Sequence, residues 1–255
     1  MCGRYLRRSD KQRLAEAFRI ANDLSEIVLP DSDYNVAPTT WQPIIRLDQV
    51  HGGRELALMR WGLVPSFAKS LNHFNFNTIN AKAESLATSR TWQGPLQQRR
   101  CLVPADGFYE WKIIPPEEAP VDLFGVSRSP RGKQKPLARK QPYVFTLKTN
   151  EPFAFAGLWD RWRDPIQPGV ALESFTIITT DPNELTATVH TRMPAILAPQ
   201  HYAAWLNSQP GERPPVELLR PFPAEQMHAA PAHPDVGNVR NNHANLLNSE
   251  AINSQ

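Results

Sequence analysis

Four residues of this sequence have types and settings suited to chemistry: Cys2, Asn80, Glu110 and His190. Removal of Met1 leaves Cys2 with a free α-amine, of reference pKa about 8, and a thiol on the adjacent carbon. An aldehyde can form a Schiff base with that amine. The thiol then adds to the same carbon and closes a five-membered thiazolidine. Cys101, being internal, cannot do this. A cysteine at position 2 also arises by chance, so the residue alone does not decide. Glu110 lies in Gly107-Phe108-Tyr109-Glu110-Trp111-Lys112. A carboxylate on such a strand either alternates outward to water or lines an apolar pocket, where desolvation raises its pKa and suits it to proton transfer. Gly107 allows a close backbone approach or a bulge beside it.

His190 ends a helix signal in His190-Thr191-Arg192-Met193-Pro194; it is either a proton-transfer group or a favourable helix C-terminal cation. Arg192 is either an anion ligand or a surface charge. Asn80, in Asn80-Ala81-Lys82-Ala83-Glu84-Ser85, reads as a helix N-cap or as an amide that orients a substrate. Arg4, Arg7, Arg8, Lys82, Arg90, Arg99 and Arg100, with Trp61, Phe67 and Trp111, offer a basic groove with stacking platforms for single strands, or an ordinary solvated surface. The remaining histidines show no metal-ligand spacing, and no metal or other cofactor is expected.

The elements that must hold these residues are short. The chain has 255 residues with 25 prolines and 12 glycines, and that much proline disfavours long helices and regular inner strands. A chain of this length buries a core without disulfides, and its 2 cysteines exclude a disulfide scaffold and a four-cysteine zinc site. No apolar run is long enough to span a membrane, and no signal peptide is visible, so a cytoplasmic protein is expected. The net charge is +3. Residues 206–255 hold three arginines against five carboxylates, which leaves −2 there and +5 in residues 1–205.

Strand signals fall at 43–47, 55–60, 101–103, 107–112, 143–148, 153–158 and 174–179. Ser9 and Gln12 suggest a capping box for a helix carrying Leu14, Ala15 and Phe18. Ala81 to Ser89 reads as a short helix, Asp181-Pro182-Asn183-Glu184 as a helix start running to Val189, and Pro199 as the start of a last short helix. Residues 114–141 read as an exposed insertion loop. Residues 223–255, rich in Pro, Ala, His and Asn, read as a disordered tail. The pattern predicts one α+β domain over 2–222 with a mainly antiparallel or mixed sheet core, and gives no reason to expect an oligomer.

Taken in order, six blocks resemble one family: Met-Cys-Gly-Arg-Tyr at the start, Asn-Val-Ala-Pro-Thr at 35–39, Arg60-Trp61-Gly62-Leu63-Val64-Pro65, Ile79-Asn80-Ala81-Lys82-Ala83-Glu84, Arg100-Cys101-Leu102-Val103-Pro104-Ala105-Asp106-Gly107-Phe108-Tyr109-Glu110-Trp111-Lys112, and His190-Thr191-Arg192-Met193-Pro194. They resemble the SOS-response-associated peptidase (SRAP) domains, or abasic-site processing proteins. The resemblance covers Cys2 to about residue 206 and leaves out 114–141 and the tail. It implies binding of single-stranded DNA at abasic sites, especially near duplex junctions, and a thiazolidine crosslink between Cys2 and the sugar aldehyde. A peptidase label attached to the family concerns self-cleavage that exposes the cysteine; here only Met1 precedes it.

Carried over by position, the resemblance makes Cys2 the nucleophile, Asn80 the holder of the amine, Glu110 the proton carrier and His190 the neighbour of the sugar. It makes Gly3, Arg4, Lys82, Arg90, Trp111 and Arg192 DNA contacts. Lys82 departs from the family arginine and loses bidentate phosphate binding. Thiazolidine closure competes with the elimination that follows a bare Schiff base, so the strand is shielded, with a weak lyase activity as the residual outcome. Two other readings stand beside this one: an N-terminal-nucleophile cysteine peptidase or amidohydrolase using Cys2 and His190, and a non-covalent single-strand-binding module.

Overall fold

The computed structural model describes residues 2–29, 32–48, 50, 52–71, 78–115, 138–208 and 211–248. Two sheets carry the fold. Tyr5–Arg7 (β1), Asp33–Val36 (β2), Gly107–Ile114 (β7), Arg139–Leu147 (β8) and Met227–Pro231 (β13) form an antiparallel sheet in the order β13-β8-β7-β1-β2. The second sheet takes Trp41–Leu47 (β3), Arg54–Trp61 (β4), Asn80–Lys82 (β5), Arg100–Ala105 (β6), Phe153–Arg163 (β9), Ala171–Thr180 (β10), Met193–Pro194 (β11) and Ile196–Leu197 (β12). Because β10 pairs with both β9 and β4, the strands β10-β4-β3-β6-β9 close into a ring. β10 runs parallel to β4 and β5, and the other named pairs are antiparallel. This is the expected α+β domain with a mainly antiparallel, barrel-like core.

The strands are apolar where both faces are covered. All six residues of β6 are buried, and neighbours along it face opposite ways. Leu102 packs with Leu14, Phe18, Ala156, Leu158 and Trp205 under the helices. Cys101 and Val103 pack with Tyr5, Trp61, Phe108, Phe155 and Phe175, which tie the first sheet to the barrel. Truncating a fully buried ring such as Phe155 would cost about 3–5 kcal/mol. Two glycines permit the tight strand contacts. A Cβ on Gly157 would meet Cys101 Sγ at 2.9 Å and Thr176 O at 3.1 Å, and one on Gly107 would meet Phe145 O at 2.7 Å. The close approach expected at Gly107 is therefore present.

The helices are short: Lys11–Phe18 (α1), Arg90–Gln98 (α2), Glu184–Ala187 (α3) and Tyr202–Leu206 (α4). Several local expectations are corrected. Asp10, not Ser9, caps α1 by accepting the Arg13 N–H; the Ser9 hydroxyl is drawn instead to Asp106. Asn183, not Asp181, caps α3. Asn80 is no cap: residues 80–82 form β5 against β10, and only a 3-10 turn, Ala83–Ser85, follows. Register with β10 overrides the local helix preference there. α2 was not expected, because Gly94 and Pro95 stand inside it.

The disordered-tail reading is corrected for residues 223–248. β13 pairs with β8 along its whole length. Beyond it Ala232, Val236 and Leu246 are buried against Leu6, Tyr109 and Val144. A few apolar residues at irregular spacing anchor this strap, and periodicity could not find them. Of the expected insertion loop, residues 139–141 belong to β8, and 116–137 lie outside the described residues. No helix among the described residues is long and apolar enough to cross a membrane.

Candidate functional site

The chain start is laid beside β7 by β1, through Tyr5↔Phe108 and Leu6↔Gly107. The Arg4 carbonyl accepts the Tyr109 N–H at 3.0 Å and the Cys2 thiol at 3.8 Å. This puts Cys2 next to the strand that carries Glu110. Asn80 comes from the other sheet. Its strand is held on β10 by Ile177↔Asn80, and its Nδ2 donates to the Cys2 carbonyl at 2.9 Å. His190 lies three residues past α3, its N–H bonded to the Thr186 carbonyl, and its Nε2 is 3.9 Å from Glu110 Oε2. The fold therefore brings together Cys2, Asn80, Glu110 and His190 from four separate stretches of sequence.

The His190 ring is held by Arg192: Nδ1 lies 3.1 Å from the Arg192 backbone nitrogen and 3.2 Å from its carbonyl oxygen, so it can accept from the one or donate to the other according to the tautomer, while Nε2 faces Glu110. Burial governs the electrostatics. It raises the Glu110 carboxyl to about 7, midway between acid and base at neutral pH. Burial, reinforced by the Glu110 charge, pushes the Cys2 thiol far up, so the resting thiol keeps its proton. Burial lowers the His190 imidazole, which is neutral at pH 7. Asn80 is buried, and its Oδ1 has no hydrogen-bond partner among the described residues. A buried acceptor without a donor is costly in a folded protein.

The residues expected to touch DNA fall into two groups. Arg90 opens α2 with its guanidinium 4.5 Å above the Phe67 ring, and Phe67 is 48% exposed, so the pair is a cationic, aromatic platform open to solvent. Lys82 ends β5 exposed, and Gly3 is half-buried between Cys2 and Arg4. The others already have partners within the chain. Arg192 gives four hydrogen bonds to its own chain: two to Glu84, one to Asp181 and one to the Thr179 carbonyl. Trp111 packs against the cluster beneath the strap. Arg4 is held by Asn35 and the strap. Of the wider basic groove, Arg7, Arg100 and Trp61 are buried and cannot line it, and Arg99 pairs with Asp160 at 3.1 Å. Sequence reasoning gave no chemical role to Asn35 or Glu84. A polar residue beside the apolar Val36 in a short strand was the available signal for Asn35. Among the described residues no group of His, Cys, Asp and Glu could hold a metal ion.

The family model described as SOS response associated peptidase (SRAP) matches residues 1–239. The chain is 35% identical over 250 residues to abasic site processing protein YoqW of Bacillus subtilis (strain 168), covering 98% of this chain and 100% of that protein. It is 32% identical over 219 residues to abasic site processing protein HMCES of Gallus gallus, covering 82% of this chain and 63% of that one. A crystal structure of a protein from Bacteroides thetaiotaomicron superposes with a TM-score of 0.79 at 27% identity, over 97% of this chain and 99% of the other. The chain belongs to the SOS response associated peptidase family.

Proposed function

We propose that this protein processes abasic sites in single-stranded DNA, and that Cys2, freed by removal of Met1, captures the sugar aldehyde as a thiazolidine. The observation that carries the reading is the convergence of Asn80, Glu110 and His190 on the chain start at Cys2. The names of the relatives, abasic site processing proteins, agree with it.

The residues divide the work as follows. The closed deoxyribose must open before it reacts, which needs one proton delivered to the ring oxygen and one taken from the anomeric hydroxyl. His190, whose Nε2 faces Glu110, and Glu110, with its raised pKa, are an acid–base pair for that exchange. The Cys2 amine attacks the aldehyde carbon and water leaves, giving the imine. The thiol sulfur then bonds to that carbon, its proton passes to the ring nitrogen, and the net loss is one water. The buried thiol is a poor nucleophile until a proton acceptor is at hand, which favours amine attack first. Asn80 Oδ1, buried without a donor, suits the N–H of the reacting amine. The closed ring removes the imine through which strand elimination proceeds, so the lesion is shielded. Arg90, Phe67 and Lys82 supply charge and a stacking face along the strand. The protein works as a monomer.

The test is intact mass spectrometry of the protein mixed with single-stranded DNA carrying one abasic site. The expected species is protein from Cys2 plus DNA minus one water, with fragmentation placing the link on Cys2. A folded protein lacking Met1 that gives no adduct overturns the reading, and turnover of a peptide or acyl substrate without DNA would put a cysteine peptidase in its place.

A further inference from the structure

Arg4 is tied across the whole length of the chain. Its Nη1 donates to Asn35 Oδ1 at 2.7 Å and to the Val236 carbonyl at 2.8 Å, and its Nη2 donates to the Gly237 carbonyl at 3.4 Å. Asn35, itself buried, sends Nδ2 to the carbonyls of Val236, Asn238 and Asn241. The strap is fixed in turn. Val236 and Leu246 are fully buried over Leu6 and Tyr109, His233 N–H bonds to the Leu246 carbonyl, and Asn242 Oδ1 accepts the Tyr34 N–H at 2.7 Å.

A guanidinium has five N–H donors. The clamp takes both on Nη1 and one on Nη2. The Nε–H and one Nη2–H have no acceptor among the described residues, and Nε and Nη2 share one edge of the fork. That edge is the pair of parallel donors that grips a phosphate bidentately. A free arginine loses rotamer entropy when it binds; one held on its far edge has already lost it.

We propose that Asn35 and the strap of residues 232–247 position Arg4 as a pre-organised phosphate clamp, with Asn35 as the positioning residue that joins the two ends of the chain. The proposal rests on the DNA-binding reading above and deepens it. The strap carries backbone carbonyls to Arg4 rather than carboxylates. It therefore orients the guanidinium without neutralising its charge.

The experiment measures equilibrium binding to a single-stranded oligonucleotide carrying one tetrahydrofuran, the unreactive abasic mimic, across a salt series. Arg4→Ala and Asn35→Ala should each weaken binding about tenfold and reduce the salt slope by about 0.7, the loss of one single-strand phosphate contact. The double variant should lose little more than either single one. Leu246→Ala, which removes the strap's buried anchor, should move affinity and slope the same way. Should Asn35→Ala fail to fold, Asn242→Ala removes only one exposed strap contact and carries the same comparison. An Asn35 or strap variant that melts earlier yet binds with unchanged affinity and slope overturns the proposal and leaves the strap purely structural. An Arg4→Ala protein that binds like the wild type removes the Arg4 contact, and the proposal with it. A wild-type protein that does not bind the mimic at all counts against the DNA reading itself.

Discussion

Asn80 gives its Nδ2 to the carbonyl of Cys2 at 2.9 Å and keeps its buried Oδ1 without a donor among the described residues. One half of the amide is thus spent on holding the nucleophile's backbone, and the other half waits. Asn80→Ala should remove both, lowering the crosslinking rate at saturating DNA by about tenfold or more, the worth of a buried hydrogen bond to a charged group. Asn80→Asp should leave the Cys2 carbonyl facing a carboxylate and perform no better. Single-turnover rates on abasic DNA check this, and a rate within error of wild type in Asn80→Ala would remove Asn80 from the mechanism.

Glu110 makes two linked predictions. Its carboxyl is raised from the ordinary carboxylate value to about 7 by burial. A raised pKa means the native state holds the proton more tightly than the unfolded chain does. That contribution is complete below the unfolded value and is lost as pH rises through about 7. The stability of Glu110→Gln should therefore match wild type in mild acid and exceed it increasingly up to neutrality, then keep a constant lead. Denaturant melts at several pH values test it; a lead that does not depend on pH would contradict the assignment. The crosslinking rate of wild type should rise through the same window as Glu110 becomes a proton acceptor, and Glu110→Gln should be slow and lack that inflection.

Cys2→Ser tests the ring. Oxygen can close the analogous oxazolidine, but that ring hydrolyses more readily. The variant should bind single-stranded abasic DNA like wild type and give no heat-stable adduct. Denaturing gels after heating show the difference directly, and an undiminished band would sink the thiazolidine.

Arg192 spends four of its donors on Glu84, Asp181 and the Thr179 carbonyl, while its own N–H holds His190 Nδ1. Its expected part is to pin the His190 turn rather than to grip a phosphate. Arg192→Ala should slow crosslinking at saturating DNA and leave the salt slope of binding unchanged. Arg90→Ala should do the reverse, weakening binding and reducing the slope by about 0.7, because its guanidinium sits on the exposed Phe67 ring. If Arg192→Ala flattens the slope as Arg90→Ala does, Arg192 is a DNA ligand after all.

The legible parts of this protein were those written in local residue types. The strand runs of the barrel showed because apolar residues alternate along them or fill both faces, as in β6 and β9. The four site residues were visible as chemical types, and six blocks of sequence tied them to a family. Pairing between distant segments was not visible. Asn80 looked like a helix cap because nothing local announces that β10 will hold it in a strand. Arg192 read as an anion ligand or a surface charge because one of its carboxylate partners, Glu84, stands 108 residues away. The strap looked disordered because three buried apolar residues at uneven intervals carry no period, yet they suffice once β8 offers an edge.

The strand pairings that assemble the site span long stretches of chain. Tyr5 meets Phe108 across about a hundred residues, and Asn80 meets Ile177 across nearly as many. Contacts so distant in sequence form late, after the loop-closure entropy has been met. Until then Cys2 has neither the burial that raises its thiol nor the Asn80 amide on its carbonyl, and it behaves as an ordinary cysteine of pKa about 8.5. Reactivity toward a bulky alkylating reagent should therefore be high in the newly made chain and fall as folding completes. The folded protein, in which Cys2 has no exposed surface, then reserves its nucleophile for whatever partner can reach it through the site.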